Sequence, residues 1–368
     1  MRRSAGKGLA GFLALLPALF IAGAVGGLFF LNAKGSPPSG GAGTAAPTTI
    51  HARGKPSPID NSRIPARADE TGATPRPKKA VAGLSLRILS WNLRDCAAMD
   101  GKTGERLAFH TPIAEVLAKL RPDIAAFQEI QQDDEKGGDI ALLQVALAKS
   151  GWAMPYQTSI ETGGPDDIAL FSRYPILESG PVLEPSPSDP WPRPGLHAVV
   201  AAGGTVGETG GNDRREKLEI FVFHLKAMAD KDSESARKAQ SKALADLLRK
   251  DMAQGTLSNL TVVAGDLNTT NPGDRGSPAS TLGFLELKDD ADPSNDFMDA
   301  IESLNPPVPT FVDRNYSSVL DHLILSPGAA AALSPGSALV FKDLPISGKI
   351  PVSDHRPVLV ELELAAEK

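Results

Sequence analysis

Two mainly antiparallel β-sheets packed face to face and flanked by helices, an α/β (α+β) fold, are what this sequence predicts for its larger part. Short apolar runs of strand length outnumber stretches with helical spacing. The helical stretches fall between pairs of strands rather than after every strand. In addition, 35 Gly and 31 Pro among 368 residues supply many loops, while 41% hydrophobic residues suffice for a substantial core.

The chain opens differently. Arg2, Arg3 and Lys7 precede an uncharged run from Gly8 to Leu31. As a helix its 24 residues span about 36 Å, against roughly 30 Å for a bilayer core. The run continues through Phe29 and Phe30, past the small residues Ala22-Gly23-Ala24 that could serve a signal peptidase. A retained transmembrane anchor is therefore expected over residues 1–31, with a cleaved signal as the alternative. The basic flank places the N-terminus in the cytoplasm and the rest on the exported side. Residues 32–83 are rich in Pro, Gly and Ala without apolar periodicity, and read as a disordered tether.

The domain at 84–368 starts with Leu84–Ser90, which alternates as a half-buried strand and ends at Trp91-Asn92. Ile113, Val116, Leu117 and Leu120 mark a helix over 110–120 that Pro122 stops. Ile124–Phe127 is a buried strand ending at Gln128-Glu129, and 139–149 a second helix. Ile168–Phe171 is the next strand, and the Pro-rich stretch 181–194 is expected to be loop. Leu196–Ala202 and Leu218–Phe223 read as a strand pair joined by a Gly-rich turn, the second ending at His224. Ser233 is a candidate cap for a helix reaching about Met252, with Ala236, Ala239 or Gln240, Ala243, Leu244, Leu247 and Leu248 inward. The unalternating run from Leu260 leads to Gly265-Asp266-Leu267-Asn268, with Gly265 turning the backbone out of the strand. Val319–Leu325 and Val358–Leu364 are the last strands, the latter preceded by Ser353-Asp354-His355-Arg356.

Bulk charge narrows the partners. Residues 1–83 hold 11 Lys/Arg against 3 Asp/Glu, leaving 27 against 41 for the rest, a balance of −14. Such a domain gains little from general attraction to phosphate. A nucleic-acid substrate would need a local basic groove or a bound cation. Cys96 is the only cysteine, which excludes an intrachain disulfide and a Cys-based zinc cluster.

Asn92, Glu129, His224, Asp266, Asn268, Asp321, Asp354 and His355 all lie at or near the ends of apolar strands. Each alone has an ordinary explanation as a turn or a solvated strand end. Together they point to one rim of a sandwich, where loops on a rigid scaffold build sites. Oxygen donors such as Asn92, Glu129 and Asp354 suit Mg²⁺ better than zinc. Asp266 can orient or deprotonate a water, and His224 and His355 can contact phosphoryl oxygens or donate a proton. Asp321 is the candidate partner of a titrating histidine.

Several ordered segments carry a resemblance: Ser90-Trp91-Asn92, Phe127-Gln128-Glu129, Ala169–Ile176, His224-Leu225-Lys226, Gly265–Asn268, Leu320-Asp321-His322 and Ser353–Val358. The chain resembles the endonuclease/exonuclease/phosphatase superfamily over residues 86 to about 364. The resemblance implies a four-layer α-β-β-α sandwich and phosphoesterase activity with Mg²⁺, or Mn²⁺ in its place. By position, Asn92, Glu129 and Asp354 resemble the metal-site residues, and Asp266 with Asn268 the water- and phosphate-positioning pair. His224 resembles a phosphate-contacting or acid/base histidine, and Asp321 with His355 an Asp–His dyad. Arg237 and Gln240 match a helix pattern common after the His-Leu motif and are expected to tie that helix to the site. Asp166-Asp167 stand near where related nucleases carry a glutamate that partners the first histidine.

The expected activity is hydrolysis of phosphodiesters, foremost as an exported, membrane-tethered nuclease. The alternatives are a phospholipid or small phosphate-ester hydrolase of the same fold and a catalytically silent surface binding domain. The N-terminal reading predicts that the full chain stays in the membrane fraction through an alkaline wash, and that removing residues 1–31 releases it. Recovery of a soluble chain beginning near Val25 identifies a cleaved signal instead.

Overall fold

Two β-α-β units form the middle of the domain. In the first, β1 (Leu84–Asn92) leads through α1 (His110–Leu120) to β2 (Ile124–Gln128), which lies parallel to it, Ile88 beside Ile124 and Asn92 beside Gln128. The computed structural model describes residues 83–364 apart from 100–102, 104–105, 133–137, 164–165, 187–190, 192, 203–215 and 348–349. The expected anchor and nearly all of the tether lie outside the described residues. So does most of the Gly-rich turn expected before Leu218. Among the described residues no helix is long and apolar enough to cross a membrane.

After β2 come α2 (Gly138–Lys149), β3 (Tyr156–Ile160), β4 (Ile168–Ser172), β5 (Ile176–Val182) and β6 (Gly195–Ala201). The second unit runs from β7 (Lys217–His224) through α3 (Lys231–Gln254) to a parallel β8 (Leu260–Asp266), with His224 beside Asp266. β9 (Met298–Asp299), β10 (Asp321–Leu325), β11 (Leu339–Val340) and β12 (Val358–Leu364) complete the sheets. One sheet has the order β11-β12-β1-β2-β4-β3 and the other β9-β10-β8-β7-β6-β5. Each thus holds one parallel pair, made possible by a helical crossover, among otherwise antiparallel neighbours.

Three apolar layers glue the structure. Ile88, Ile124, Ala126, Val222, Val262, Ala264 and Val360 pack between the sheets. Alternate residues of the same strands, such as Leu89, Trp91 and Phe127, face Ile113, Leu117 and Leu143 of α1 and α2. Phe221, Phe223, Val263 and Ile324 face Leu244 and Leu248 of α3. The result is the expected sandwich, two sheets inside and helices outside.

α1 begins and ends where its spacing predicts. Arg121 takes a left-handed φ of 52° and its N–H closes the last turn on Leu117 O at 2.7 Å, with Pro122 next. α3 departs from expectation at its start and in its buried stripe. Asp230 rather than Ser233 caps it, accepting the N–H groups of Asp232 and Ser233. Its buried stripe is Ser233, Arg237, Gln240, Ser241, Leu244, Ala245 and Leu248. Gln240, Leu244 and Leu248 lie inward as expected, while Arg237 and Ser241 replace Ala236 and Ala243 because the polar side chain of Arg237 turns inward to hold a loop. β3 and β5 were hidden in the sequence because both are edge strands. β3 is only partly buried, and β5 carries Pro181, which a strand edge tolerates. The expected loop at 181–194 therefore starts two residues late, after Val182.

Gly265 does not turn the chain out of β8; the strand continues to Asp266. Its φ is 145°, and a Cβ there would stand 1.9 Å from Phe223 O on the parallel neighbour. Close approach of β7 and β8 is what requires glycine. Gly265→Ala should cost about 3 kcal/mol or more in urea unfolding. Gly255→Ala, at the α3 C-cap (φ 68°) with open space around it, should cost about 1 kcal/mol.

Candidate active site

Both parallel pairs end on one rim. A parallel pair brings two carboxyl ends together, and an antiparallel neighbour starts where they stop. Asn92 closes β1, Glu129 follows β2, His224 closes β7 and Asp266 closes β8. On the same rim Asp321 opens β10, directly across from Asp266, and Asp354-His355 lead into β12.

The side chains meet between the sheets. Asn92 Nδ2 donates to Glu129 Oε1 at 2.9 Å and to Asp266 Oδ2 at 3.1 Å, joining the two sheets. His224 Nε2 lies 3.7 Å from Glu129 Oε1 and 3.6 Å from Asp266 Oδ2. His355 Nδ1 is 2.9 Å from Asp321 Oδ2, while its Nε2 is 3.6 Å from Asp266 Oδ2. The His355 loop is tied to β1: Trp91 Nε1 donates to His355 O at 3.0 Å, and Ser353 Oγ donates to Asn92 O at 2.8 Å. Asn268 is left-handed (φ 49°), so the chain turns sharply just past Asp266. Its N–H turns back onto Asp266 Oδ1 at 3.0 Å, and its Nδ2 holds Leu225 O at 3.1 Å.

Asp354 sits differently from the other candidates. Its carboxylate faces Arg94, with Nε at 3.8 Å, and joins none of the tight ligand groups among the described residues. Arg94, Asp95 and Cys96 form a left-handed turn, with φ of 49°, 55° and 48°. Such a turn costs about 1–2 kcal/mol per residue. It is held by Arg94 N on Asn92 Oδ1 (3.0 Å), Asp95 N on Glu129 O (2.9 Å) and the buried Cys96.

Charge is crowded here. Burial pushes Glu129 up to about 7, against the pull of the Asn92 hydrogen bond. Burial also pushes Asp266 up to about 6, with His355 opposing and Asp321 adding to the rise. Burial works against a charged His355, but Asp321 and Asp266 outweigh it and drive the imidazole up to about 10. His355 is therefore a cation at neutral pH. His224 goes the other way: burial, then the charges of Arg193 and His355, hold it well below 6.5, so it is neutral.

The paired aspartates bind groups other than His224. Asp166 pairs with Arg193, and Asp167 accepts Thr162 N at 2.9 Å and Gln132 N at 3.3 Å. Neither partners His224, whose buried Nδ1 has no hydrogen bond. Arg193 is the functional candidate that sequence reasoning missed. It stands inside the Pro-rich stretch read as loop, and an Arg between two prolines just before a strand was the available signal. Arg237 and Gln240 do what the helix pattern implied. Arg237 Nη1 donates to Lys226 O and Met228 O, both at 2.8 Å, with Asp274 neutralising it, and Gln240 Nε2 donates to Arg193 O at 2.7 Å. α3 thus anchors the loop after His224 and the loop of Arg193.

The donor set fits a hard divalent cation. Glu129 offers carboxylate oxygens that burial holds up at about 7, a cost that a bound cation would offset. Asp266 and the imidazole of His224 stand within ligand reach of it. Asn92, expected as a metal-site oxygen donor, instead turns its Nδ2 toward both carboxylates and gives its Oδ1 to Arg94 N, so in this arrangement it stabilises the two carboxylates by hydrogen bonds. Oxygen-dominated ligation without thiolate suits Mg²⁺ or Mn²⁺.

Residues 89–355 match the model of the Endonuclease/Exonuclease/phosphatase family. The chain belongs to that family. Among solved structures, an endonuclease/exonuclease/phosphatase from Beutenbergia cavernae is similar at a TM-score of 0.53 and 18% identity, over 76% of this chain and 72% of that one. The human Nocturnin catalytic domain with bound sulfate gives 0.51 and 20%, over 77% and 96%. The 3′ phosphatase NExo from Neisseria bound to a product DNA hairpin gives 0.50 and 17%, over 75% and 99%. No curated protein sequence matches the chain.

Raised carboxylates set a pH dependence with a definite sign. Glu129 and Asp266 contribute most to stability when protonated. That contribution is complete below the unfolded values of about 4 and lost as pH rises through about 6 and 7. Cation binding needs both groups ionised. Mg²⁺ should therefore raise the thermal midpoint clearly at pH 8 and hardly at pH 5, and Glu129→Gln should erase the difference. Equal shifts at both pH values would place the cation elsewhere.

Proposed function

We propose that this chain is a divalent-metal-dependent phosphodiesterase, exported and tethered to the membrane by residues 1–31, that cleaves nucleic acid using Mg²⁺ or Mn²⁺. The observation that carries the chemistry is the Asp321–His355–Asp266 array beside Glu129. Asp321 orients His355 and keeps it protonated, so its Nε2–H can meet a phosphoryl oxygen and stabilise charge as it develops. Asp266, ionised near neutral pH and held by Asn268 N–H and Asn92, can orient a water and take its proton. Neutral His224 offers a neighbouring contact for the phosphate, and Arg193 adds positive charge at the edge. When bound beside Glu129 and Asn92, the cation supplies further neutralisation of the phosphoryl oxygens. Asp354 belongs to the proposed metal site only if Arg94 releases it on loading.

Nucleic acid as substrate is supported by the DNA product bound to the Neisseria relative. Among the described residues, Arg94 and Arg193, now paired with Asp354 and Asp166, are basic side chains at the edge of the site that a phosphate could engage. A phospholipid or small phosphate ester is the second reading. It is favoured by the hairpin Phe311–Val312/Ser317–Ser318, whose Phe311 packs on His355 (ring centroids 5.0 Å apart). The hairpin leaves Val312 and Tyr316 exposed, at 38% and 45%.

Full-length protein in detergent should cleave single- and double-stranded DNA with Mg²⁺ and stop with EDTA. Asp266→Asn and His355→Gln should each lower kcat by about 10²–10⁴-fold. Faster turnover of phospholipid head groups than of DNA under matched conditions selects the second reading. Metal-independent activity that survives both substitutions defeats the proposal.

A further inference from the structure

On the outer face of the second sheet, behind the site, buried polar side chains link the two strand ends that carry Asp266 and Asp321. Thr269 directly follows Asn268, and His322 directly follows Asp321. His322 has the parity of Ile324, so it points away from the inter-sheet layer toward the α3 side. Its Nδ1 is 2.5 Å from Asp299 Oδ2, and its Nε2 is 2.9 Å from Thr269 Oγ1. Thr269 Oγ1 also lies 3.1 Å from Val319 O and accepts Arg275 Nη2 at 2.8 Å. Asp299 is itself pinned, its Oδ1 accepting Ile301 N at 2.9 Å and Glu302 N at 3.2 Å. Thr269, Asp299 and His322 are 1%, 3% and 0% exposed, and none of them reaches the catalytic face.

The front of the same strand pair has a problem that this chain answers. Asp266 and Asp321 are register partners across an antiparallel ladder, and like charges so placed repel. His355 bridges them, but its Nε2 is 3.6 Å from Asp266, beyond hydrogen-bond reach. Past Asp266 one backbone bond, Leu267 N to Leu320 O at 2.8 Å, continues the pairing. An apolar contact at Thr269 and His322 would add burial without direction. A fully paired polar chain instead admits one arrangement.

We propose that Asp299, His322 and Thr269 form a positioning clip for the reaction, holding the Asp266–Asn268 turn at a fixed spacing from the Asp321–His355 dyad. The clip touches neither substrate nor cation; it acts through the distance between the water-orienting carboxylate and the imidazolium. The inference rests on the phosphodiesterase reading for its kinetic consequence, though not for its structural one.

The test uses the full chain with Thr269→Val, which keeps shape and loses the hydroxyl, and Thr269→Ser, which restores it. Thr269→Val should lower kcat at least about tenfold with KM within about twofold, since a displacement of an ångström or less suffices. Thr269→Ser should return kcat to within about twofold of the parent. Asp299→Asn should reproduce the Thr269→Val pattern. Independently of turnover, the His355 ring resonances in ¹H–¹³C spectra should move in Thr269→Val and return in Thr269→Ser. The clip is overturned if kcat falls only in proportion to the folded fraction, if Ser fails to rescue, or if the His355 resonances stay put. A parent chain that turns over no phosphodiester defeats the functional reading alone, because the resonance comparison still decides the clip.

Discussion

Burying several ionisable groups on one rim is the constraint on which this structure depends. Glu129, Asp266 and Asp321 would repel one another into solvent if the chain let them. They stay because each has a neighbour that satisfies part of its charge: Asn92 for Glu129 and Asp266, His355 for Asp321. What is left unsatisfied appears as raised carboxylate pKa values and an unpartnered Asp321 Oδ1. Such residual frustration is the usual mark of a functional site, and here it gives a cation and a phosphate something to bind.

The architecture makes that concentration affordable. Two β-α-β units deliver four carboxyl strand ends to the same edge, and antiparallel neighbours begin there with Asp321 and the His355 loop. Strands with rigid apolar layers on both faces cannot easily shift register, because a one-residue slip would send every core side chain to the wrong side. Gly265 shows how closely the strands are drawn together, since no side chain fits beneath the Phe223 carbonyl. The loops are less constrained by packing, so buried polar anchors take over. Arg237 with Asp274 holds the loop beyond His224, Gln240 holds Arg193, and Ser353 ties the His355 loop to β1.

Individual residues show how far sequence reading extends. Strands β1, β2, β4, β7, β8 and β12 were legible because apolar runs of the right length have few alternatives in a chain with this composition. α1 was legible from its spacing and from Pro122. The edge strands β3 and β5 were not, because an edge need not be apolar and tolerates Pro181. Ser233 was a reasonable cap by residue type, yet Asp230 has the backbone geometry to accept two N–H groups. Arg193 escaped notice because its partner Asp166 is 27 residues away and its role depends on a loop path that periodicity does not describe.

Residue type and order alone determined the family, the layered sandwich and the set of polar strand ends from Asn92 to His355. Those signals are local: apolar periodicity, strand termination and short motifs survive without knowledge of contacts. Tertiary structure alone decided which of those groups face one another. It made His355 a cation and His224 neutral, turned Asp354 toward Arg94, and set His322 behind the sheet against Thr269 and Asp299. These outcomes depend on burial and on charges brought within a few ångströms by the packing of distant segments, and Coulomb and desolvation energies at that range carry no imprint in the linear order of residues.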